Sequence, residues 1–272
     1  MLTSRPLARI QRSRPRCPAR GIRALLWVAL TTAAIGCGRN MSVMVRMGDR
    51  PPNPDSPTPS YLVALVAPRD VTPTARLRSG ALVVADINID RFQIVLRDIR
   101  LESSPTQNGE QTPDEAVIGR GAILVDLSGA HLDPGQMTEI VPSRPVSWSS
   151  YYEVDLDLRP VTQAEVDANA ALAPMLGSTF VIHGRTPLSG SFTFTSSLQK
   201  VLVRSSTFRN GFNQNNTTIN IAPNRWFVGA DGAALDPSSA DPAVHAAIET
   251  NVAASIDGYL DDNEDGKPDP LG

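Results

Sequence analysis

The residues whose types and spacing could do chemistry are concentrated near the C-terminal end. The stretch "DDNEDGKPD", Asp261 to Asp269, reads as D-x-N-x-D-G-x-x-D. It offers side-chain oxygens at Asp261, Asn263, Asp265 and Asp269, puts Gly266 where a calcium loop makes its sharp turn, and leaves Lys267 to contribute a backbone carbonyl. Hard oxygen donors suit Ca²⁺ better than a softer metal. The pattern departs from an EF-hand at the twelfth position, where Gly272 stands instead of a bidentate Glu. Asp231 or Asp257 would then have to supply the missing donor. The expected role is structural, with weak affinity suited to extracellular calcium. A second cluster, "EVDLDL", sets Glu153, Asp155 and Asp157 on one side of a strand and Val154, Leu156 and Leu158 on the other. Paired carboxylates are what glycoside hydrolysis uses, and Trp148 and Tyr151 beside them could stack on a sugar. Trp148, Tyr151, Glu153 and Asp155 therefore form the candidate ligand surface. Plain alternation of a half-exposed strand gives the same pattern.

Other catalytic constellations are missing from the sequence. The three histidines, His131, His183 and His245, have no metal-ligand spacing to one another. There is no H-E-x-x-H, no G-x-S-x-G, no phosphate loop and no dinucleotide fingerprint. Trp226 and Phe227 are a second aromatic pair that could stack on a sugar, although core plugs and strand-end caps are the commoner explanation for such rings. No catalytic residue is assigned, and a binding module is expected rather than an enzyme.

The other chemically distinctive residue is Cys37. Residues 1–36 hold seven arginines and no acidic residue, and residues 24–36, "ALLWVALTTAAIG", are uncharged. A basic start, a short apolar run and small residues before a cut make a secretory signal. The run is shorter than the roughly 20 residues a spanning helix needs. "AIGC", residues 34–37, resembles the lipobox of bacterial lipoproteins, with Ala34 where Leu is commonest. That resemblance implies acylation of Cys37, cleavage before it and anchoring in a membrane. Gly38, in place of Asp, implies sorting to the outer membrane. The other cysteine, Cys17, lies in the removed segment, so the mature chain keeps one thiol and no internal disulfide.

Seven of the 25 basic residues but none of the 28 acidic ones fall in residues 1–36, so the mature part is more acidic than the whole-chain net charge of −3. Its only lysines are Lys200 and Lys267. Such a surface argues against nucleic acid, which demands clustered positive charge, and suits divalent cations.

Elements must position these groups. Short apolar or alternating runs at 61–67, 80–85, 86–102, 120–129, 149–158, 178–184, 189–198, 200–206 and 217–223 are separated by Gly, Pro, Asn and Asp. Repeated short strands predict an Ig-like or jelly-roll β-sandwich. In 86–102 the alternation changes phase twice, from Ile87 and Ile89 to Ile94 and Leu96, then to Ile99 and Leu101, which predicts bulges. A connector helix is predicted over 162–175, with Thr162 and Glu165 as a capping box. A C-terminal helix is predicted over 241–260, with Asp241 as N-cap, Pro242 at N1 and a stripe of Val244, Ile248, Val252, Ile256 and Tyr259. The predicted organisation is a leader over 1–36, a lipidated Pro-rich tether over 37–60 (in which "SVMVRM" could form a first strand), a sandwich over 61–240, and a helix with an acidic tail over 241–272.

"NIDRFQIVLRDIRLE", "LDPGQMTEI", "LSGSFTFTSSLQKVLV", "TTINIAPNRWF" and the final "DDNEDGKPD" together resemble uncharacterised myxobacterial-type lipoproteins with a lipid-anchored β-sandwich domain. The resemblance implies fold and location and no activity. The calcium-type loop resembles those of dockerins and thrombospondin-type repeats. The expected protein is an envelope-anchored binding or structural module whose partner is an envelope glycan or protein. The alternatives are a glycan hydrolase using Glu153 and Asp155, and a subunit that pairs through an exposed strand edge.

Overall fold

The computed structural model describes residues 39–49, 76–78, 81–84, 86–103, 115–146, 151–187, 189–205, 216–261 and 263–267. The leader, Cys37, the strand expected over 61–67, Trp148 and Asp269 lie outside them, as does the side chain of Tyr151.

The fold is mainly β, in two sheets. The smaller sheet joins β1 (Arg39–Met47), β6 (Met137–Val146), β11 (Asn216–Ile221) and β12 (Ile256–Leu260) in the order β12-β11-β1-β6. β1 runs parallel to β11 and antiparallel to β6. The larger sheet is built on β4 (Ile87–Ser103). One side of β4 carries β3 (Ala81–Val84) and then β5 (Glu115–Ser128), with β2 (Arg76–Arg78) outside β3. Its other side carries β8 (Phe180–Thr186) and then β7 (Tyr151–Leu158), flanked by β9 (Gly190–Ser196) and β10 (Lys200–Ser205).

Alternation decides which side chains fill the space between the sheets. Met41, Val43, Val45 and Met47 of β1 are buried there, with Phe92, Ile94 and Leu96 of β4 and Val154, Leu156 and Leu158 of β7. Trp226 and Phe227 are wholly buried core plugs, the indole 4.8 Å from the ring of Phe92. Both expected phase changes in β4 are shifts of register, one between Ile89 and Arg91 and one between Arg97 and Ile99. At the second, Asp98 takes a φ of 44° and its carboxylate accepts the Gly121 N–H at 3.0 Å.

Three expectations need correction. Residues 39–47, placed in the tether segment, form an interior strand, as the "SVMVRM" alternation allows. The sheet therefore starts at Arg39, and the Pro-rich run follows β1 rather than preceding the domain. The connector is not one helix: α1 (Gln163–Ala168) ends at Asn169, and a 3₁₀ turn (Ala170–Met175) takes Pro174, whose missing N–H an α-helix interior would not tolerate. The C-terminal helix α2 (Pro242–Ser255) stops five residues short, because Ile256–Leu260 pair with β11 as β12. The 241–272 segment thus completes a sheet as well as packing on one. Besides β12, two strands were not foreseen: short β2, and β6, whose Pro142 and Pro145 obscure its pattern. Proline is tolerated there because β6 is an edge strand.

α1 and the 3₁₀ turn cover part of the larger sheet's outer face, where Val161, Leu172 and Met175 close over Val95 and Val181. Arg97 sits beside this patch with no exposed side-chain surface. Its guanidinium donates to Glu165 Oε1 at 2.8 Å and Oε2 at 3.0 Å, to the Pro160 carbonyl at 3.1 Å and to the Arg159 carbonyl. Glu165 is also the capping-box partner of Thr162. The Arg97 hydrogen bonds, helped by those from Thr162, pull the Glu165 pKa down to about 2 from an ordinary 4.5. A depressed carboxyl adds stability above its unfolded value, so this contribution is present above about pH 4.5 and lost as pH falls toward 2. Glu165→Ala should cost about 3–5 kcal/mol, since it strands a buried guanidinium. Urea melts from pH 2 to 7 should show wild-type stability rising across pH 2–5 and a flatter profile in the variant.

Candidate functional site

The acidic loop leaves β12 at Asp261, a wholly buried carboxylate. Its Oδ1 accepts the Asp265 N–H at 3.0 Å, and its Oδ2 accepts the Gly266 N–H at 2.9 Å and the Thr218 hydroxyl at 3.2 Å. Burial raises its pKa against the pull of these donors. Asn263 Oδ1 also accepts the Asp265 N–H, and Asp265 Oδ1 accepts the Lys267 N–H. The chain therefore winds around Asp261, with Glu264 at φ 55° and Gly266 at φ 77°. Gly266 is favoured there because its φ is left-handed, and a Cβ would also crowd the Arg46 guanidinium.

Arg46 ties the loop to the sheet. It donates to the Gly266 carbonyl and, at 2.9 Å, to the Pro134 carbonyl, while Tyr259 donates its hydroxyl to the same Gly266 carbonyl at 2.8 Å. Asn216 Nδ2 donates to Glu264 at 2.8 Å. Beneath lies Asn220, wholly buried, with neither end of its amide hydrogen-bonded. Asp261 thus centres a turn in which the motif's side-chain oxygens accept backbone N–H groups. Among the described residues no three His, Cys, Asp or Glu side chains converge closely enough to hold an ion. The turn itself was legible as D-x-N-x-D-G. The parts of Arg46, Thr218 and Asn216 were not, because they depend on β1 and β11 lying side by side.

On β7, Glu153, Asp155 and Asp157 face outward and half-buried while Val154, Leu156 and Leu158 fill the core. The register sets Glu102 opposite Glu153 and Arg100 opposite Asp155, and on the far side Val203 opposite Asp155 and Val201 opposite Asp157. Val201 and Val203 are 57% and 48% exposed, so an apolar edge borders the carboxylates. Glu102 is a fourth acid that sequence reasoning missed, since alternation gives the face of a residue and not its neighbour across the ladder. Asp155 is pushed up to about 6, first by burial and then by Glu102 and Glu153. One of its oxygens, Oδ1, is buried without a hydrogen-bond partner.

A cleft of about 340 Å³ opens between β9 and α2, lined by Phe194, Thr195, Pro237, Ser238 and His245 among others. His245 stacks on Phe194 at 4.3 Å and its Nε2 lies 3.0 Å from the Thr195 carbonyl. Ser196 donates to Glu249, which lies 3.7 Å from His245 Nδ1. Here the carboxylate stands between serine and histidine, whereas a nucleophilic triad needs the imidazole there. His131 and His183 bond to Thr138 and Thr193.

No family model, characterised protein or solved structure matches the chain.

The raised Asp155 pKa has a definite sign. The folded state holds this proton between about pH 4 and 6 while the unfolded chain releases it, so stability falls as pH rises through that window. Asp155→Asn should therefore stabilise the domain by about 1–2 kcal/mol at pH 7 and by nothing near pH 3.5. Paired thermal melts at the two pH values check this.

Proposed function

We propose that the chain is an envelope lipoprotein, exported, cut ahead of Cys37 and anchored by lipid on that cysteine at the outer membrane, where it serves as a binding or structural module. The observation that carries this reading is where folding begins. Residues 37–272 form one compact unit, and the first strand among the described residues opens at Arg39. A cut before Cys37 therefore removes the arginine-rich leader and the apolar run without costing the sandwich a strand. Two or more acyl chains, at about 0.8 kcal/mol per buried CH₂, would hold it stably. The resemblance to lipid-anchored sandwich proteins points the same way. The surface offered to an envelope glycan or protein is the outer face of β7 and β10, where carboxylates border exposed valines.

Calcium belongs to the same reading. Asp261, Asn263, Asp265, the Lys267 carbonyl and Asp269 would hold the ion, which would cross-link the loop to β11 and β12. The Arg46 guanidinium beside the loop opposes a second positive charge, so the affinity falls in the ~10⁻⁴–10⁻³ M range of extracellular modules. A second reading, hydrolysis of envelope glycans, draws support from the raised Asp155 beside Glu153 and Glu102. It requires turnover that Glu153→Gln or Asp155→Asn abolishes with the fold intact.

Two experiments test the main reading. Cys37→Ser should move the protein from the membrane to the soluble fraction, and unchanged fractionation refutes the anchor. Calcium at ten times its Kd should raise the melting temperature of residues 37–272 by about 3–5 °C. The shift should vanish with chelator and in Asp265→Ala; no shift in the wild type removes calcium from the account.

A further inference from the structure

The correction to the tether has a consequence for how the domain meets the membrane. Between Cys37 and the first residue of β1 there is only Gly38. Whatever its conformation, that link spans at most about 7 Å. β1 is not a detachable arm: it lies between β6 and β11, and Met41, Val43, Val45 and Met47 are buried. An acyl group on Cys37 therefore fixes the rigid sheet itself.

We infer that the end of the smaller sheet where β1 starts and β6 finishes is a membrane-contact surface, seated on the lipid headgroups. This inference rests on the lipid anchor proposed above. The surface is formed by the start of β1 and by Pro142, Ser143, Arg144 and Pro145 of β6, all four exposed, with Arg39 opposite Val146, Asn40 opposite Pro145 and Met41 opposite Arg144. Neither 39–42 nor 141–146 contains an acidic residue, although the chain as a whole is acidic, so this end carries the charge an anionic headgroup layer tolerates. The acidic loop is set back. It meets the sheet at Asn216, which pairs with Ser42, about 10 Å along the strand from Arg39. The opposite end of the sheet, at Met47 and Gln136, points away from the bilayer, roughly 30 Å from Cys37.

The test uses the full lipidated protein in vesicles of phosphatidylethanolamine and phosphatidylglycerol. Lipidation consumes the Cys37 thiol and processing removes Cys17, so an introduced cysteine is the only free thiol. A fluorophore is attached at Ser143→Cys in one sample and at Gln136→Cys in another, both exposed positions, and quenched by headgroup-labelled lipid. Several-fold stronger quenching at 143 than at 136 is expected. Equal quenching, or stronger quenching at 136, in protein that still floats with the vesicles overturns the orientation while the anchor stands. Protein that fails to float, as Cys37→Ser should, refutes the anchor and the orientation with it. Circular dichroism melts of both labelled variants confirm that each sample is folded.

Discussion

The fold turns on one buried charge. β4 is the longest strand and changes partner partway along, from β8 over residues 88–94 to β7 from Arg97 onward. The register shifts between Ile89 and Arg91 and again between Arg97 and Arg100, and the second shift falls beside Arg97. That guanidinium lies out of water at the joint between two pairings. It is tolerable only because Glu165 neutralises it and the Arg159 and Pro160 carbonyls take its remaining donors. Removing one partner of such a pair leaves a charge with no solvent, which costs more than the pair contributes. The segment from the end of β7 to the start of β8 is thereby held to a single path across the sheet.

That path divides the outer face of the larger sheet. On one side α1 and the 3₁₀ turn cover Val95 and Val181 with their own small core. On the other, β7 and β10 are left uncovered, and alternation that buries Val154 and Leu156 must turn Glu153 and Asp155 outward. Crowding of like charge there follows from the same geometry. The bulge at Asp98 restores the inward phase for Ile99 and Leu101, which sends Arg100 and Glu102 to the outer face against Asp155 and Glu153. The candidate ligand surface is thus a by-product of how β4 stays buried.

Much of this was legible in the sequence. Phase changes at 89–94 and 96–99 marked the two register shifts, and the capping pair Thr162 and Glu165 marked the start of α1. Proximity in sequence misled where long-range pairing decided the outcome. "RNMSVMVRM" alternates cleanly, yet beside a Pro-rich run it reads as linker. "IDGYL" continues a helical stripe through Ile256 and Tyr259 and equally alternates Ile256, Gly258 and Leu260. β11 settles the matter by offering a ladder, and Arg204 closes the helix by donating to the Ala253 and Ile256 carbonyls. The calcium-type turn was legible because its donors are local, and its attachment to Arg46 and Thr218 was not.

The smaller sheet is assembled from the two ends of the folded region. β1 comes first, and its parallel neighbour β11 and the adjoining β12 come last, with the whole larger sheet between them in sequence. Pairings this distant form late, because the loop they close spans nearly the entire domain. β1 meets β6 on one edge after about half of the domain, and its parallel partner β11 on the other edge only near the end of the chain. Arg46 and Tyr259 hold the Gly266 carbonyl only where β1, β11 and β12 lie together, so the shape of the acidic loop depends on that closure. The acidic loop and β1 are in this sense one structural unit, and whatever stabilises the loop also stabilises the smaller sheet.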